Sequence, residues 1–160
     1  MPATQGENVT SIDGQSDETI RDILTSTRRV ALVGASAKPW RASNSAMSFL
    51  LNRGYHVVPV NPGLVGQIIH HRPVVSRLAE ATPLDMVDVF RNRAFVGPLV
   101  DEVIRLGART IWMQLGVIDE TAAERARAAG ICVVMDRCPV IEVRRLRLSE
   151  TGAATPNRRH

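Results

Sequence analysis

Aromatic side chains are scarce in this 160-residue sequence, in which phenylalanine, tryptophan and tyrosine make up 4% of the residues. Proteins that bind single-stranded nucleic acid stack the bases on aromatic rings, so this scarcity argues against a nucleic-acid partner. Cysteine is scarcer still: Cys132 and Cys138 are the two that occur. Two cysteines cannot provide the disulfide framework of a small secreted protein. We therefore expect a cytoplasmic protein in a reducing compartment.

Long apolar segments are also missing. No run approaches the roughly 18 to 20 apolar residues that a membrane span requires. The N-terminal stretch 1–18 is polar and has neither the basic nor the apolar region of an export signal. We expect no membrane partner. We also expect no metal site, because His70 and His71 have no cysteine or acidic residue at a useful spacing.

Acidic residues are outnumbered by basic ones, which gives a formal net charge of +4. Part of the excess lies near the C-terminus, at Arg144, Arg145, Arg147, Arg158 and Arg159. Scattered basic residues usually form a solvated surface, although this balance would also suit a polyphosphate ligand. With 44% hydrophobic and 22% charged residues, the composition is typical of a globular protein.

The order of apolar segments predicts one α/β domain at 17–148, between a disordered lead-in at 1–16 and a disordered basic tail at 149–160. Five short apolar runs predict strands at 30–33, 56–60, 85–90, 110–114 and 131–135. Helical patterns occupy 17–26, 43–54, 95–106 and 119–130, and a short helix is expected around 76–81. Residues 139–148 fit either a closing helix or an edge strand. The alternation predicts a single doubly wound, mainly parallel, five-stranded sheet of Rossmann type.

The segment 30–46 contains the clearest signal for a ligand. A buried strand runs into Gly34, and a loop of small residues then leads to a helix near Ser43. Free backbone N–H groups and the positive end of the dipole make such a helix start an anion site. Lys38 and Arg41 add positive charge, and the hydroxyls of Ser36 and Ser43 can donate hydrogen bonds. The alternative is a tight turn with basic residues in solvent.

The second strand helps to distinguish between dinucleotide ligands. An NAD site needs a carboxylate about 20 residues beyond the glycine loop, to hold the ribose hydroxyls. Here the strand ends in Asn61, Pro62 and Gly63. Two cations beside the phosphates also suit a ligand more negative than NAD, such as coenzyme A with its pyrophosphate and 3′-phosphate. The residues therefore favour coenzyme A and leave NADP open.

Five linked segments resemble the small bacterial and archaeal coenzyme A-binding proteins. They are 33–43, 58–63, 87–91, 112–117 and 134–138, and the likeness covers roughly 28–147 in order and spacing. The fold of that family is similar to the coenzyme A-binding domain of the succinyl-coenzyme A synthetase α subunit. The resemblance implies that coenzyme A is bound by the following residues: Gly34, Ala35, Ser36, Lys38, Pro39, Arg41, Ser43, Asn61, Pro62, Val89, Phe90, Arg91 and Gln114.

The chemistry-bearing residues do not form a recognisable catalytic set. The histidines are expected to be ordinary polar residues, and Cys132, inside a strand, is expected to lie in the core. Cys138 follows the fifth strand next to Arg137, which could lower its pKa, so it is either a packed cysteine or a redox thiol. The spacing of Asp85 and Asp88 puts them on opposite faces of a strand. We expect Asp85 to start that strand and Asp88 to accept hydrogen bonds from the backbone or Arg91.

Three functions remain open on this evidence. The first is a non-catalytic protein that binds free or acylated coenzyme A as a sensor, carrier or subunit. The second is an enzyme, either a small NADP-dependent oxidoreductase or one that processes acyl-coenzyme A. The third is a scaffold that binds no ligand. A homodimer or an unidentified protein partner is compatible with all three.

Overall fold

The computed structural model describes residues 12–148. Its helices are α1 (Asp17–Ser26), α2 (Ala42–Asn52), α3 (Val96–Leu106), α4 (Glu120–Ala128) and α5 (Pro139–Arg145). Its strands are β1 (Arg29–Val33), β2 (His56–Val60), β3 (Ile68–Ile69), β4 (Arg72–Pro73), β5 (Met86–Val89), β6 (Thr110–Met113) and β7 (Cys132–Val134). Short 3-10 helices span Pro62–Leu64, Leu78–Ala81 and Arg93–Phe95.

Five strands form one parallel sheet in the order β2-β1-β5-β6-β7. The register places Val30 of β1 beside Val57 on one side and Met86 on the other. The buried strands are rich in valine and other apolar residues, as expected where helices cover both faces. The doubly wound parallel fold predicted from the sequence is confirmed, and the order of its strands reverses between β1 and β5. Ligands of such folds bind beyond the carboxyl ends of the strands at that point.

Two hydrophobic clusters flank the sheet. One contains Val100 and Val103 of α3 together with alanines of α4, and the other contains Ile20 of α1 and Leu50 of α2. The chain therefore leaves β1 toward one face and β5 toward the opposite face. This divergence opens a crevice between the two connections.

The segment 139–148 forms α5 and not an edge strand. Pro139 occupies its first turn, where a missing N–H is tolerated. Arg145 near its end binds Asp17 of α1 at 2.7 Å. The small β3–β4 hairpin was not predicted, because its two-residue strands are too short to show a period.

Cys132 was predicted to lie in the core, and this prediction is wrong. The residue is exposed at the first position of β7, whereas the next two residues of the strand are buried. β7 is the edge of the sheet, so an apolar strand there is covered less completely than a central one.

Residues 12–16, the last part of the predicted lead-in, make ordered contacts with β7. The Asp13 carboxylate accepts a hydrogen bond from the Met135 backbone and binds the Arg137 guanidinium at 2.9 Å. Gln15 Nε2 donates to the Val133 carbonyl at 2.9 Å. Asp13 and Gln15 of the predicted lead-in therefore have partners in and just after β7, while 1–11 and the tail at 149–160 lie outside the described residues. None of the helices within 12–148 is long and apolar enough to cross a membrane.

Candidate functional site

The loop after β1 begins where the ends of three strands meet. Gly34 N donates to the Val60 carbonyl of β2 at 3.0 Å, and Phe90 N, after β5, donates to the Val33 carbonyl at 2.8 Å. Gly34 has a φ of +92°, and a Cβ built on it would lie 2.8 Å from the Phe90 carbonyl oxygen. This close approach, together with the left-handed backbone, requires glycine at the first position of the loop.

Two asparagine side chains hold the loop in shape. Asn61 Nδ2 donates to the Ala35 carbonyl, and Asn44 Nδ2 donates to the Ser36 carbonyl, each at 2.8 Å. Asn61 lies just beyond β2, and Asn44 lies in the first turn of α2. The backbone of the loop is therefore fixed from both sides by neutral hydrogen bonds.

The start of α2 offers unpaired backbone donors. Asn44 N donates to the Arg41 carbonyl, whereas within residues 12–148 the N–H groups of Ala42 and Ser43 find no acceptor. The preceding loop exposes Lys38 and Arg41. Free N–H groups at the positive end of a helix dipole, with two cations beside them, suit a phosphate group. Lys38 Nζ also lies 5.9 Å from the centre of the exposed Trp40 ring.

The β3–β4 hairpin packs over the start of α2 through a histidine. His70 Nε2 lies 2.9 Å from Asn44 Oδ1 and 3.1 Å from its carbonyl oxygen. His70 and His71 occupy the turn with φ values of 48° and 66°, which is unusual for residues other than glycine. His70 therefore supports the asparagine that shapes the loop.

A groove of about 240 Å³ lies beyond the ends of β1 and β2, beside the connection that follows β5. Its lining consists of Val33, Val60, Pro62, Ser76, Arg77, Leu78, Arg91, Phe95, Pro98, Leu99 and Glu102. The Arg91 guanidinium stacks on the Phe95 ring, 3.9 Å from its centre. Apolar walls with a few charged groups are typical of a site for a flat organic ligand.

At the end of β5, a buried carboxyl contacts the end of β6. Asp88 is fully buried, and its Oδ1 accepts a hydrogen bond from Gln114 Nε2. Burial raises the pKa of Asp88 to about 7, and the hydrogen bond from Gln114 opposes that rise. The Arg91 contact expected for Asp88 is therefore replaced by one to Gln114. Asp85, just before β5, accepts backbone N–H groups from Arg28 and Arg29 instead.

Cys138 lies at the start of α5, half-buried. The guanidinium of its neighbour Arg137 is held by Asp13 and Glu142, at 2.9 Å and 3.3 Å. Those carboxylates neutralise the charge that was expected to activate the thiol. Cys138 therefore lies near the carboxyl edge of the sheet, beside an arginine whose charge is paired with carboxylates.

The structure brings some of the predicted site residues together and separates others. The loop residues gather around the start of α2, and Pro62 and Arg91 line the groove. Val89, in contrast, is fully buried in the core, and its side chain does not reach the groove. Gln114 lies at the end of β6, outside the groove lining.

Sequence reasoning missed the far wall of the groove. Ser76, Arg77 and Leu78 lie in a stretch with no clear period, and Phe95 and Leu99 were assigned only to a helix. A usable signal was the Ser-Arg pair directly before a short helix containing Glu80. Glu80 Oε1 accepts hydrogen bonds from the Ser76 and Arg77 backbone at 2.9 Å and fixes this turn beside the groove.

The parallel strand order and the crevice at its reversal define the class: a Rossmann-type α/β domain. The chain belongs to the family described as the CoA binding domain, which matches residues 28–144. An uncharacterized Bacillus subtilis protein, YneT, is 31% identical over 119 residues, which is 74% of this chain and 87% of that protein.

Three solved structures are similar to this chain in both sequence and fold. A hypothetical protein from Pyrococcus horikoshii OT3 is 36% identical with a TM-score of 0.82, covering 88% of this chain and 98% of that one. Prb, described as the PH1109 protein redesigned for binding, is 38% identical with a TM-score of 0.80, covering 84% and 94%. A Thermus thermophilus protein is 32% identical with a TM-score of 0.79, covering 82% and 99%.

Proposed function

We propose that this protein binds coenzyme A, free or acylated, as a non-catalytic binding, sensing or carrier protein. The observation that carries the proposal is the pre-shaped loop after β1. It combines a glycine on which a Cβ would clash with the Phe90 carbonyl, unpaired N–H groups at the start of α2, and two exposed cations. Membership of the CoA binding domain family supports coenzyme A as the ligand.

The pyrophosphate is assigned to the loop. Its oxygens would accept hydrogen bonds from the N–H groups of Ala42 and Ser43, with Lys38 and Arg41 providing charge. The Ser43 hydroxyl makes no hydrogen bond within residues 12–148, so it is available to the same phosphates. The hydrogen bonds that shape the loop come from neutral asparagine side chains, so they use none of the positive charge of Lys38 and Arg41.

The adenosine end is assigned to the groove at the strand reversal. Pro62 and Leu99 provide apolar surface for a purine ring, and Phe95 adds an aromatic face backed by Arg91. Two arginines line the groove, Arg77 and Arg91. Arg91 stacks on the Phe95 ring, so the 3′-phosphate is assigned to Arg77. The groove also contains Glu102, which can accept a hydrogen bond from an amino group.

Calorimetric titration of coenzyme A into alanine variants tests these assignments. Lys38→Ala and Arg41→Ala should each weaken binding by about tenfold, because each loses a charge-assisted contact to phosphate. Arg77→Ala should weaken coenzyme A in the same way and leave 3′-dephospho-coenzyme A unaffected. The matched control is Arg105→Ala, an exposed arginine of α3 outside the groove. If all four substitutions weakened coenzyme A equally, binding would depend on overall positive charge, and the proposed site would be rejected.

A further inference from the structure

Asp88 and Gln114 form a buried hydrogen bond that can hold the Gln114 side chain in place for a ligand. Asp88 Oδ1 accepts the Gln114 amide hydrogen, whereas Asp88 Oδ2 has no hydrogen-bond partner within residues 12–148. An unpaired buried polar atom costs free energy, so stability alone does not explain a carboxyl at this position. The one hydrogen bond that this carboxyl makes is to a side chain at the carboxyl edge of the sheet.

The direction of this hydrogen bond fixes the orientation of the Gln114 amide. Where Asp88 is ionised, above about pH 7, its carboxylate can only accept, so the amide nitrogen is the atom that faces it. The amide oxygen, Gln114 Oε1, accepts no hydrogen bond from any residue between 12 and 148. Gln114 therefore has a free acceptor, Oε1, to offer to a ligand.

The strand order gives the distance between this acceptor and the loop after β1, to which the pyrophosphate is assigned. β6 lies two strands from β1, on the side away from β2 and Asn61. Neighbouring strands are about 4.8 Å apart, so Gln114 is about 10 Å from the loop. A ligand with its pyrophosphate on the loop and its adenosine toward β2 would extend its remaining arm across β5 toward β6.

We propose that Asp88 is a positioning residue, which holds Gln114 so that its amide oxygen accepts a hydrogen bond from an N–H or O–H group on the arm of the ligand beyond the pyrophosphate. The proposal rests on the proposed function, since the pantetheine arm of coenzyme A carries amide N–H and hydroxyl groups. A ligand that ends at the diphosphate has no group that reaches Gln114. Asp88 thereby favours ligands with a polar arm over nucleotides of the same charge.

The test compares coenzyme A with 3′-phospho-ADP, which keeps the nucleotide end and lacks the arm. Asp88→Leu removes the acceptor, and Gln114→Met removes the amide at similar length. Each should weaken coenzyme A by about tenfold, the loss expected for one hydrogen bond, and leave 3′-phospho-ADP within about twofold. Asp88→Asn, which keeps an oxygen facing Gln114, should bind coenzyme A within about threefold of the wild type.

Thr110→Val is the matched control, because Thr110 is also buried in β6 but lies at its opposite end. It should change the affinity for neither ligand. The positioning role is overturned if Asp88→Leu and Gln114→Met weaken both ligands equally, if Gln114→Met alone acts on coenzyme A, or if neither variant acts. Gln114→Met keeps the proposal testable if Asp88→Leu does not fold. A wild-type protein that binds neither ligand would overturn the proposed function itself, a result distinct from the others.

Discussion

Gly34 is the residue on which the shape of the loop after β1 depends. Its φ of +92° is a conformation that costs an L-residue roughly 1 to 2 kcal/mol. The neighbouring Phe90 carbonyl belongs to rigid strand-end backbone and cannot move aside as a flexible side chain could. The requirement for glycine is thus both conformational and steric.

We predict that Gly34→Ala lowers the free energy of unfolding by about 3 kcal/mol, because positive φ and overpacking act together. Gly130→Ala is the matched control: its φ is +86°, and nothing lies within 4 Å of the added Cβ. It should cost only about 1 kcal/mol. Urea denaturation measures both values, and equal losses would show that the Phe90 carbonyl yields to the new methyl group.

Asp88 gives the protein a stability that depends on pH. Its pKa is about 7 in the fold, against 3.8 for an unperturbed aspartate, because burial disfavours the charged form. The folded state therefore holds this proton more tightly than the unfolded chain. The resulting stability is complete below about pH 4 and is lost as the pH rises through about 7.

Asp88→Asn removes this dependence while keeping the shape of the side chain. Relative to this variant, the wild type should lose roughly 2 to 4 kcal/mol of unfolding free energy between about pH 4 and about pH 8. Urea denaturation across that range measures the difference. A difference that grows in the opposite direction would mean that ionised Asp88 is stabilised in the fold.

At the scale of elements, Asn44 joins α2 to the loop after β1 and to the β3–β4 hairpin. This residue donates to the Ser36 carbonyl and lies within hydrogen-bond distance of His70. Neither contact is apparent from a hydrophobic pattern, since both are polar and join residues 8 and 26 positions apart. The hairpin thus acts as a brace for the start of the helix.

Asn44→Ala should lower the unfolding free energy by about 2 kcal/mol, the value of two hydrogen bonds, and weaken coenzyme A without changing any charge at the site. Asn52→Ala, at the exposed end of the same helix, is its control and should leave stability nearly unchanged. Thermal denaturation and calorimetry measure the two effects. Unchanged affinity in Asn44→Ala would show that the loop keeps its shape without this tie.

The strands and the turn at Gly34 could be predicted from the sequence because each has a local signal. An unbroken apolar run ending in Gly34 indicates the strand, and the small and basic residues after it predict the anion site proposed above. The exposure of Cys132 had no such signal, because a central and an edge strand can share one apolar pattern. The groove wall at Ser76 and Arg77 depends on a fixed turn with no hydrophobic period, so its sequence signal is limited to the Ser-Arg pair before the short helix containing Glu80.

At the scale of the whole molecule, the segment before α1 closes the β7 edge of the sheet. The Asp13 carboxylate is buried and binds Arg137, which also contacts Glu142 of α5. The start of the described chain, the end of its last strand and its last helix are thereby joined. This network contributes to stability.

Asp13→Ala should cost about 3 kcal/mol of unfolding free energy, because it leaves a half-buried guanidinium with fewer partners. Asp17→Ala removes an exposed partner of Arg145 and should cost less than about 1 kcal/mol. Affinity for coenzyme A should be the same in both variants once they are folded. Similar losses of stability would contradict a buried role for Asp13.

The most direct test of the central claim is a thermal shift on purified protein freed of bound ligand, with coenzyme A, 3′-dephospho-coenzyme A, NAD and NADP. A ligand at 100 times its dissociation constant stabilises a fold by about 2.7 kcal/mol, which is easily measured. We predict a clear rise with coenzyme A, a smaller one with the dephospho form, and none with NAD or NADP. A rise with NADP and none with coenzyme A would contradict the account and point to a reductase.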